Sequence, residues 1–261
     1  MFSILPVVAI IAIFLATPQR AAGGEPERDV VYSDEHDRNV LDFWPASKVE
    51  SAAPVFVWFH GGGFRKGDKS QLEKHRTSMI NAYRKAGYAV VSCNYPFLSD
   101  EIDHLEIMRH CARAVQFVRS KEKEWQIDPG RLCCGGVSAG ALISEFLAYH
   151  DDFADPEAEE AVNRQSSRPQ VVASVMQPRG TKELALRFMD EGEAPIFIYS
   201  NAAPSDRIHP PWAAMILRDK AKKRGSPCVA FGGGRNKLPK VEGGKNWLEL
   251  QLEFCNKHLA D

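Results

Sequence analysis

The feature that most constrains the fold of this chain is a serine between two glycines, Gly136-Val137-Ser138-Ala139-Gly140. An apolar run at residues 131–135 ends directly before it, and another at residues 141–147 follows. This order predicts a strand, a sharp turn and a helix, with the serine hydroxyl raised above the amino end of the helix. Glycines suit such a turn because a side chain there would collide with neighbouring backbone.

A second glycine-rich segment, His60-Gly61-Gly62-Gly63-Phe64, follows the apolar run at residues 54–59. Consecutive glycines after a strand let the backbone approach a ligand closely. Together with Ser138, the segment predicts a site in which backbone N–H groups hold an oxyanion.

Apolar and helical patterns alternate along the rest of the chain. Strands are predicted at residues 30–32, 40–44, 54–59, 88–94, 131–135, 171–176, 195–199 and 227–231, and further helices at 72–86, 105–123, 211–223 and 247–258. This alternation predicts an α/β fold, a mostly parallel eight-stranded sheet with helices on both faces. With 261 residues, 44% of them apolar, the chain fits one domain over residues 25–261.

These motifs resemble those of the α/β-hydrolase superfamily, most closely its hormone-sensitive-lipase-like branch of carboxylesterases. Three more segments are similar to that family: residues 41–45 to its early hairpin strand, 94–96 to the turn after its fourth strand, and 125–131 to the start of its nucleophile strand. The resemblance implies an α/β-hydrolase fold that hydrolyses esters through an acyl-serine intermediate.

The resemblance also implies roles for individual residues. It makes Ser138 the nucleophile, gives His60 a supporting role beside the glycine loop, and forms the oxyanion hole from the backbone N–H groups of Gly62, Gly63 and Ala139. It places a carboxylate after the seventh strand and a histidine after the eighth.

Asp206 stands where the carboxylate is expected, although an aspartate there is also suited to capping the helix predicted at residues 211–223. No histidine follows the last strand except His258, near the end of the terminal helix. His209 shares a loop with Asp206 and is therefore the best candidate base, because catalytic histidines can change loops while the geometry is kept. The alternative is a surface or substrate-facing histidine.

Two short connections predict an open, shallow site without a large cap. Only residues 177–180 separate the strand at 171–176 from the next helix, and residues 25–55 are too few for an amino-terminal helical cap. Such a site suits short acyl groups or esters attached to a bulky polymer.

Charge and motif spacing restrict the partners. Lys and Arg number 33 against 34 Asp and Glu, so no basic field for nucleic acid or anionic lipid is present. Residues 62–70 nearly form a phosphate-binding loop, but Asp68 would repel phosphate. Since no residue cluster has metal-site spacing, we expect no cofactor and no metal. The expected partner is a small-molecule or polysaccharide ester, and the oligomeric state is left open.

The amino terminus predicts export. Residues 4–16 are almost wholly apolar, and small residues at 21–24 suit cleavage, which predicts a signal peptide over residues 1–24 and a secreted or periplasmic protein. An uncleaved anchor is the alternative, although the apolar stretch is shorter than the about 20 residues needed to cross a bilayer.

Six cysteines accompany this export signal. Cys133 and Cys134 lie in the strand before Ser138, where buried free thiols are expected. A bridge among the other four, Cys93, Cys111, Cys228 and Cys255, is left open because spacing does not determine pairing.

Two functions therefore compete. The first is an exported carboxylesterase acting on short-acyl or carbohydrate-linked esters, with Ser138, Asp206 and His209 as its catalytic residues. The second is a catalytically silent hydrolase fold that binds a ligand, because the histidine expected after the last strand is missing.

Overall fold

A central sheet of eight strands organises the protein. The computed structural model describes residues 23–48, 51–241 and 243–260. The strands are β1 (Glu27–Val31), β2 (Val40–Trp44), β3 (Ala53–Phe59), β4 (Ala89–Cys93), β5 (Ile127–Val137), β6 (Val171–Val175), β7 (Ile196–Ser200) and β8 (Cys228–Gly232), in the spatial order β1-β2-β4-β3-β5-β6-β7-β8. Only β2 runs antiparallel to its neighbours β1 and β4. The predicted mostly parallel eight-stranded sheet is confirmed.

Helices cover both faces of this sheet. In the described ranges they are α1 (Ser70–Lys85), α2 (His104–Ser120), α3 (Glu122–Trp125), α4 (Ala139–Tyr149), α5 (Thr181–Leu184), α6 (Pro211–Lys223) and α7 (Trp247–Leu259). The apolar sides of α2, α4 and α6 share one core, and those of α1 and α7 share the other.

Strand β3 shows why these residues form a central strand. Val55, Val57 and Phe59 enter the core beneath α2 and α4, whereas Phe56 and Trp58 enter the core beneath α1 and α7. A strand covered on both faces is apolar at successive positions, since its side chains alternate between two buried layers. The carboxyl end of β3 thereby lies in the middle of the sheet, beside that of β5.

Strand β1 begins at Glu27, three residues before its predicted start, and polar contacts hold this added part. Arg28 forms ion pairs with Asp42 of β2 at 3.2 Å and with Glu73 of α1 at 2.7 Å. The backbone N–H of Asp29 donates to Asp42 Oδ1 at 3.0 Å. The first half of β1 is thus held by charged partners, so an apolar pattern does not indicate it.

The thiols are unbridged in this part of the chain. All six cysteines are free, and five of them are buried. The Sγ atoms of Cys133 and Cys255 lie 3.5 Å apart between β5 and α7, without a bond. Both residues of the Cys133–Cys134 pair are buried free thiols, as expected.

The predicted signal peptide, residues 1–24, lies outside the described residues except for Gly23 and Gly24, and it stays a prediction. Among the described helices, none is both long enough and apolar enough to cross a membrane.

The segment between β6 and β7 contains α5 and a short 3-10 turn, Leu186–Phe188. Its residues Ala185, Leu186 and Met189 are buried in the core that α4 also lines.

Candidate active site

Ser138 occupies a strained turn between β5 and α4. Its backbone has φ 58° and ψ −115°, in the left-handed region that residues with side chains rarely adopt. The N–H of Ser138 donates to the carbonyl of Val175 at 3.0 Å, which ties the turn to the end of β6. Such strain is typical of functional turns, and this one presents the hydroxyl at the carboxyl edge of the sheet.

The two glycines beside Ser138 are required by close backbone packing. A Cβ on Gly140 would lie 1.9 Å from the carbonyl oxygen of Phe59, and one on Gly136 would lie 2.4 Å from the carbonyl carbon of Gly140. The turn therefore presses directly on the end of β3, where the glycine-rich loop begins.

The glycine-rich loop lies against Ser138. A Cβ on Gly61 would be 3.4 Å from the Cβ of Ser138. Gly62 and Gly63 have φ values of 127° and 62°, and in the described backbone neither N–H is used in a turn or loop hydrogen bond. The N–H of Ala139, in the first turn of α4, has no partner within its helix. The three predicted oxyanion donors thus belong to segments that meet at the serine.

His60 is a buried, neutral support for this loop. Burial lowers the pKa of His60 to about 4. Its Nδ1 lies 2.7 Å from the carbonyl oxygen of Gly61, and Nε2 lies 3.4 Å from Nη2 of Arg38. A neutral ring with its proton on Nδ1 satisfies both contacts, because that nitrogen donates while Nε2 accepts. This is the geometry that the predicted supporting role requires.

Arg38 is a second support that the sequence does not indicate. From the connection between β1 and β2, its Nε donates to the Tyr95 carbonyl at 2.8 Å and its Nη2 to the Gly67 carbonyl at 3.1 Å. The guanidinium lies 3.9 Å from the ring centre of Phe97. Arg38 thus fastens the glycine-rich loop to the loop after β4.

His209 reaches the serine from the loop after β7. Its Nε2 lies 2.8 Å from Ser138 Oγ, and its Nδ1 lies 3.5 Å from Oδ2 of Asp206. A base within hydrogen-bond reach of the nucleophile, oriented on its other nitrogen by a carboxylate, is the arrangement that activates a serine. The structure therefore brings together the three side chains predicted to be catalytic, and their roles stay predictions.

Asp206 is fixed by its own loop. Its Oδ1 accepts the N–H groups of His209 at 2.7 Å and Ile208 at 2.8 Å. These bonds, that of His209 first, lower the pKa of Asp206 and favour its charged form. Helix α6 begins after Pro210 without a side-chain cap. Asp206 is therefore not the cap of this helix and has its second oxygen available for His209.

The loop after β8 is used differently from the expectation of the resembled family. Asn236 Nδ2 donates to the Ser200 carbonyl at 2.8 Å, and a Cβ on Gly233 would lie 2.0 Å from Oδ1 of Asn201. This loop thus packs on the base of the β7 loop. His258 lies near the end of α7, whose last residues line a cavity with Ala53 and Tyr88 at the opposite edge of the sheet.

A buried carboxyl lies behind the site and was not foreseen. Glu145 of α4 accepts the Ser174 hydroxyl at 2.5 Å, and Gln177 Nε2 donates to the same hydroxyl oxygen at 2.7 Å. Burial raises the pKa of Glu145 to about 8, against the opposing effect of the Ser174 hydrogen bond. Ser174 precedes Val175, whose carbonyl holds the Ser138 turn, so the neutral acid is part of the support for that turn.

Glu145 gives stability a pH dependence. Because its folded pKa of about 8 lies above the ordinary value of 4.5, the folded state binds more protons than the unfolded chain between these values. The stability contributed by the neutral carboxyl is complete at low pH and falls as pH rises through this window. Glu145→Gln should remove that fall, which we expect to reach a few kcal/mol.

Urea unfolding of wild type and Glu145→Gln at several pH values checks this expectation. Glu101→Gln, at an exposed position, is the matched control and should keep the wild-type slope. Parallel pH profiles for wild type and Glu145→Gln would contradict it.

Within residues 23–48, 51–241 and 243–260, no three His, Cys, Asp or Glu side chains converge as metal ligands. The polar atoms of the site instead contact one another, as the contacts of His209 with Ser138 and Asp206 show.

Sheet topology, the left-handed serine turn and the adjoining histidine and aspartate together define an α/β-hydrolase fold. The chain belongs to the BD-FAE family, whose model matches residues 41–203. The matched span holds the glycine-rich loop and Ser138 and ends shortly before Asp206 and His209.

Solved structures of other proteins share this fold. A truncated carbohydrate esterase from gut microbiota superposes with a TM-score of 0.73 and 15% identity, over 93% of this chain and 100% of that one. The acetyl ester-xyloside bifunctional hydrolase of Caldicellulosiruptor lactoaceticus superposes with a TM-score of 0.66 and 20% identity, over 82% of this chain and 87% of its own. At such identities the likeness shows the fold.

One curated relative is similar in sequence. Esterase LipI of Mycobacterium tuberculosis is 32% identical over 107 residues, which are 41% of this chain and 32% of LipI. The alignment thus spans about a third of the length of that relative.

Proposed function

We propose that the protein is a serine carboxylesterase that hydrolyses short-acyl or carbohydrate-linked esters through an acyl-serine intermediate. The observation that carries the proposal is the 2.8 Å distance between His209 Nε2 and Ser138 Oγ. A serine hydroxyl is a weak nucleophile near neutral pH unless a base stands within hydrogen-bond reach, and His209 supplies that base.

The first half of the reaction forms the acyl-enzyme. His209 Nε2 takes the proton of Ser138 while Oγ attacks the ester carbonyl carbon. Asp206, near Nδ1 at 3.5 Å, keeps the proton of the neutral ring on that nitrogen and stabilises the imidazolium that forms. The tetrahedral intermediate then collapses, and His209 protonates the departing alcohol.

The oxyanion of that intermediate is held by the N–H groups of Gly62, Gly63 and Ala139. A donor in such a hole is worth about 3 kcal/mol of transition-state stabilisation. In the second half of the reaction, water activated by His209 attacks the acyl-serine and releases the acid.

The openness of the site supports a substrate in which the ester is formed with a bulky alcohol. The side chains of His209 and Asp206 are 20% and 28% exposed. Only residues 176–180 separate β6 from α5, which leaves no room there for a cap. The superposed structures include a carbohydrate esterase and an acetyl ester-xyloside hydrolase. These observations support a polysaccharide or small sugar ester as substrate, with its acyl group at Ser138.

The alternative is a silent hydrolase fold that binds a ligand in the same cleft. Its support is the β8 loop, which carries no histidine. The close approach of His209 to Ser138 favours the enzyme, since a binding protein has no use for an oriented base beside a strained serine.

Export of the mature protein is part of the proposal. The apolar residues 4–16 followed by the small residues at 21–24 support cleavage of a signal peptide before Glu25. The mature protein would then act outside the cytoplasm, where polysaccharide esters are accessible.

Labelling by a fluorophosphonate tests the proposal. Wild type should take up one probe per chain, located on Ser138 by mass spectrometry, and should hydrolyse p-nitrophenyl acetate. Ser138→Ala should do neither. If folded wild type neither takes up the probe nor hydrolyses p-nitrophenyl acetate, the esterase proposal is wrong and the alternative, a ligand-binding protein, is favoured. The same mass spectra report the mature amino terminus, and a retained residue 1 after expression in an exporting host would contradict cleavage.

A further inference from the structure

The edge of the sheet that carries Ser138 is divided by charge, with acidic loops at its β1-β2-β4 end and basic residues in the loops after β3, β6, β7 and β8. Loops after β3, β6, β7 and β8 present six exposed basic residues, here called the basic rim: Arg65, Lys66, Arg179, Arg207, Arg235 and Lys237. In the described part of the chain none of the six forms an ion pair, whereas basic residues elsewhere, such as Arg28 and Arg113, do. Their charge is therefore available to a ligand.

Backbone hydrogen bonds connect this basic rim to the reacting groups. The N–H of Arg179 donates to the carbonyl of Ile208, next to His209, at 3.0 Å. Arg207 lies between Asp206 and Ile208, and the N–H of Arg65 donates to the Gly62 carbonyl at 3.2 Å. These arginines are consequently held within a few residues of the base and the oxyanion loop.

Exposed carboxylates are collected at the β1-β2-β4 end of this edge. The β1–β2 connection and the loop after β4 present exposed acidic residues at the same edge: Asp34, Glu35, Asp37, Asp100, Glu101 and Asp103. Within the β3 loop itself, Asp68 is engaged by the N–H of Ser70 and by Asn94. Since the net charge of the whole chain is only −1, the basic rim is a local arrangement.

Apolar exposure coincides with the basic rim. Ile208 is 64% exposed and Trp212, in the first turn of α6, is 41% exposed. They stand on either side of His209 in the sequence. Because these apolar side chains accompany basic ones, this side of the serine can contact a ligand through both apolar and charged groups.

We infer that the alcohol portion of the substrate is an anionic sugar polymer that lies over the carboxyl ends of β6, β7 and β8, with its acyl group at Ser138. The inference rests on the proposed esterase function. Arginine matches the planar geometry of carboxylates, and the basic rim both attracts a polyanion and orients it away from the acidic loops. The reaction is unchanged: the polymer hydroxyl is the leaving group that His209 protonates.

Acetate release from a matched pair of polymers tests the inference. O-acetylated polygalacturonate supplies carboxylates, and the same polymer amidated at those carboxyl groups is neutral. We expect kcat/KM of wild type for the anionic polymer to exceed that for the neutral one at least fivefold at about 0.02 M salt, with most of the difference lost at about 0.5 M. Equal values for the two polymers at low salt would overturn the inference.

Charge reversal locates the surface. Arg179→Glu/Arg207→Glu should lower the anionic-to-neutral ratio of kcat/KM at least fivefold, since two attractions become repulsions. Lys222→Glu/Lys223→Glu changes net charge equally at exposed positions at the end of α6 and should keep the wild-type ratio. An equal fall in both double variants, or no fall in the first, would overturn the location.

A binding measurement separates this inference from the esterase proposal. Ser138→Ala should be retarded in gels containing polygalacturonate and not in gels containing the amidated polymer. Selective retardation without hydrolysis by wild type would contradict the esterase proposal and leave the basic rim as an anion-binding surface. Hydrolysis of p-nitrophenyl acetate without selective retardation would do the reverse.

Discussion

His209→Ala is expected to lower kcat for p-nitrophenyl acetate at least about 1,000-fold, because it removes the proposed base, whose Nε2 lies 2.8 Å from Ser138 Oγ. Labelling of Ser138 by a fluorophosphonate should slow in parallel, since the same deprotonation activates the serine toward phosphorus. Asp206→Asn should cause a smaller loss, because the ring stays present but loses its orienting charge. Steady-state kinetics on the three purified proteins measure these effects.

His258→Ala is the matched control. It removes the last histidine of the sequence, near the end of α7, and should keep activity within about twofold, because this end of α7 lies at the opposite edge of the sheet from Ser138. If His209→Ala retained a tenth or more of wild-type kcat, another group would be the base. A large loss in His258→Ala with unchanged folding would assign that role to the terminal helix.

Gly140→Ala is expected to cost at least about 3 kcal/mol of unfolding free energy or to prevent folding. The added methyl would lie 1.9 Å from the carbonyl oxygen of Phe59. Both partners are backbone, one in α4 and the other at the end of the central strand β3, so neither can move without breaking its element. Urea unfolding of the soluble protein measures the loss of unfolding free energy. If the variant does not fold, the loss of soluble yield is the readout.

Gly180→Ala separates this clash from a general effect of losing glycine. A Cβ on Gly180 would meet its nearest neighbour, Leu142 Cδ1, at an ordinary 3.5 Å, and the backbone φ is −73°. Its stability should stay within about 0.5 kcal/mol of wild type. Wild-type stability in Gly140→Ala would show that the Ser138 turn is not packed as tightly as described.

The sequence predicted the strands well because most of the sheet is covered on both faces. A strand such as β4, buried at every position over Ala89–Cys93, must be apolar throughout and cannot be confused with a solvated segment. Where burial is one-sided, prediction is weaker. The start of β1 depends on Arg28 and its ion pairs, and the predicted helix at residues 105–123 divides into α2 and α3 at Lys121.

The site was predictable where chemistry is concentrated in a short motif and not where it depends on distant segments. Ser138 and the glycine-rich loop are visible in consecutive residues. The contact of His209 with Ser138 spans 71 positions, and that of Arg38 with the Gly67 carbonyl spans 29. Such contacts have no periodicity, so only topology brings them together. The role of Glu145 was not predicted because the sequence of an apolar helix does not indicate which side chains its single carboxylate contacts.

Asp206 and His209 share one loop, so the carboxylate and the base of the proposed mechanism lie on a single short connection. A deletion between Asp206 and His209 would separate the proposed carboxylate from the proposed base. The β8 loop, in contrast, supports this connection through Asn236, whose Nδ2 donates to the carbonyls of Ser200 and Ala202. The β8 loop can therefore change in sequence without removing a proposed reacting group, provided that Asn236 keeps these bonds to the loop that carries Asp206 and His209.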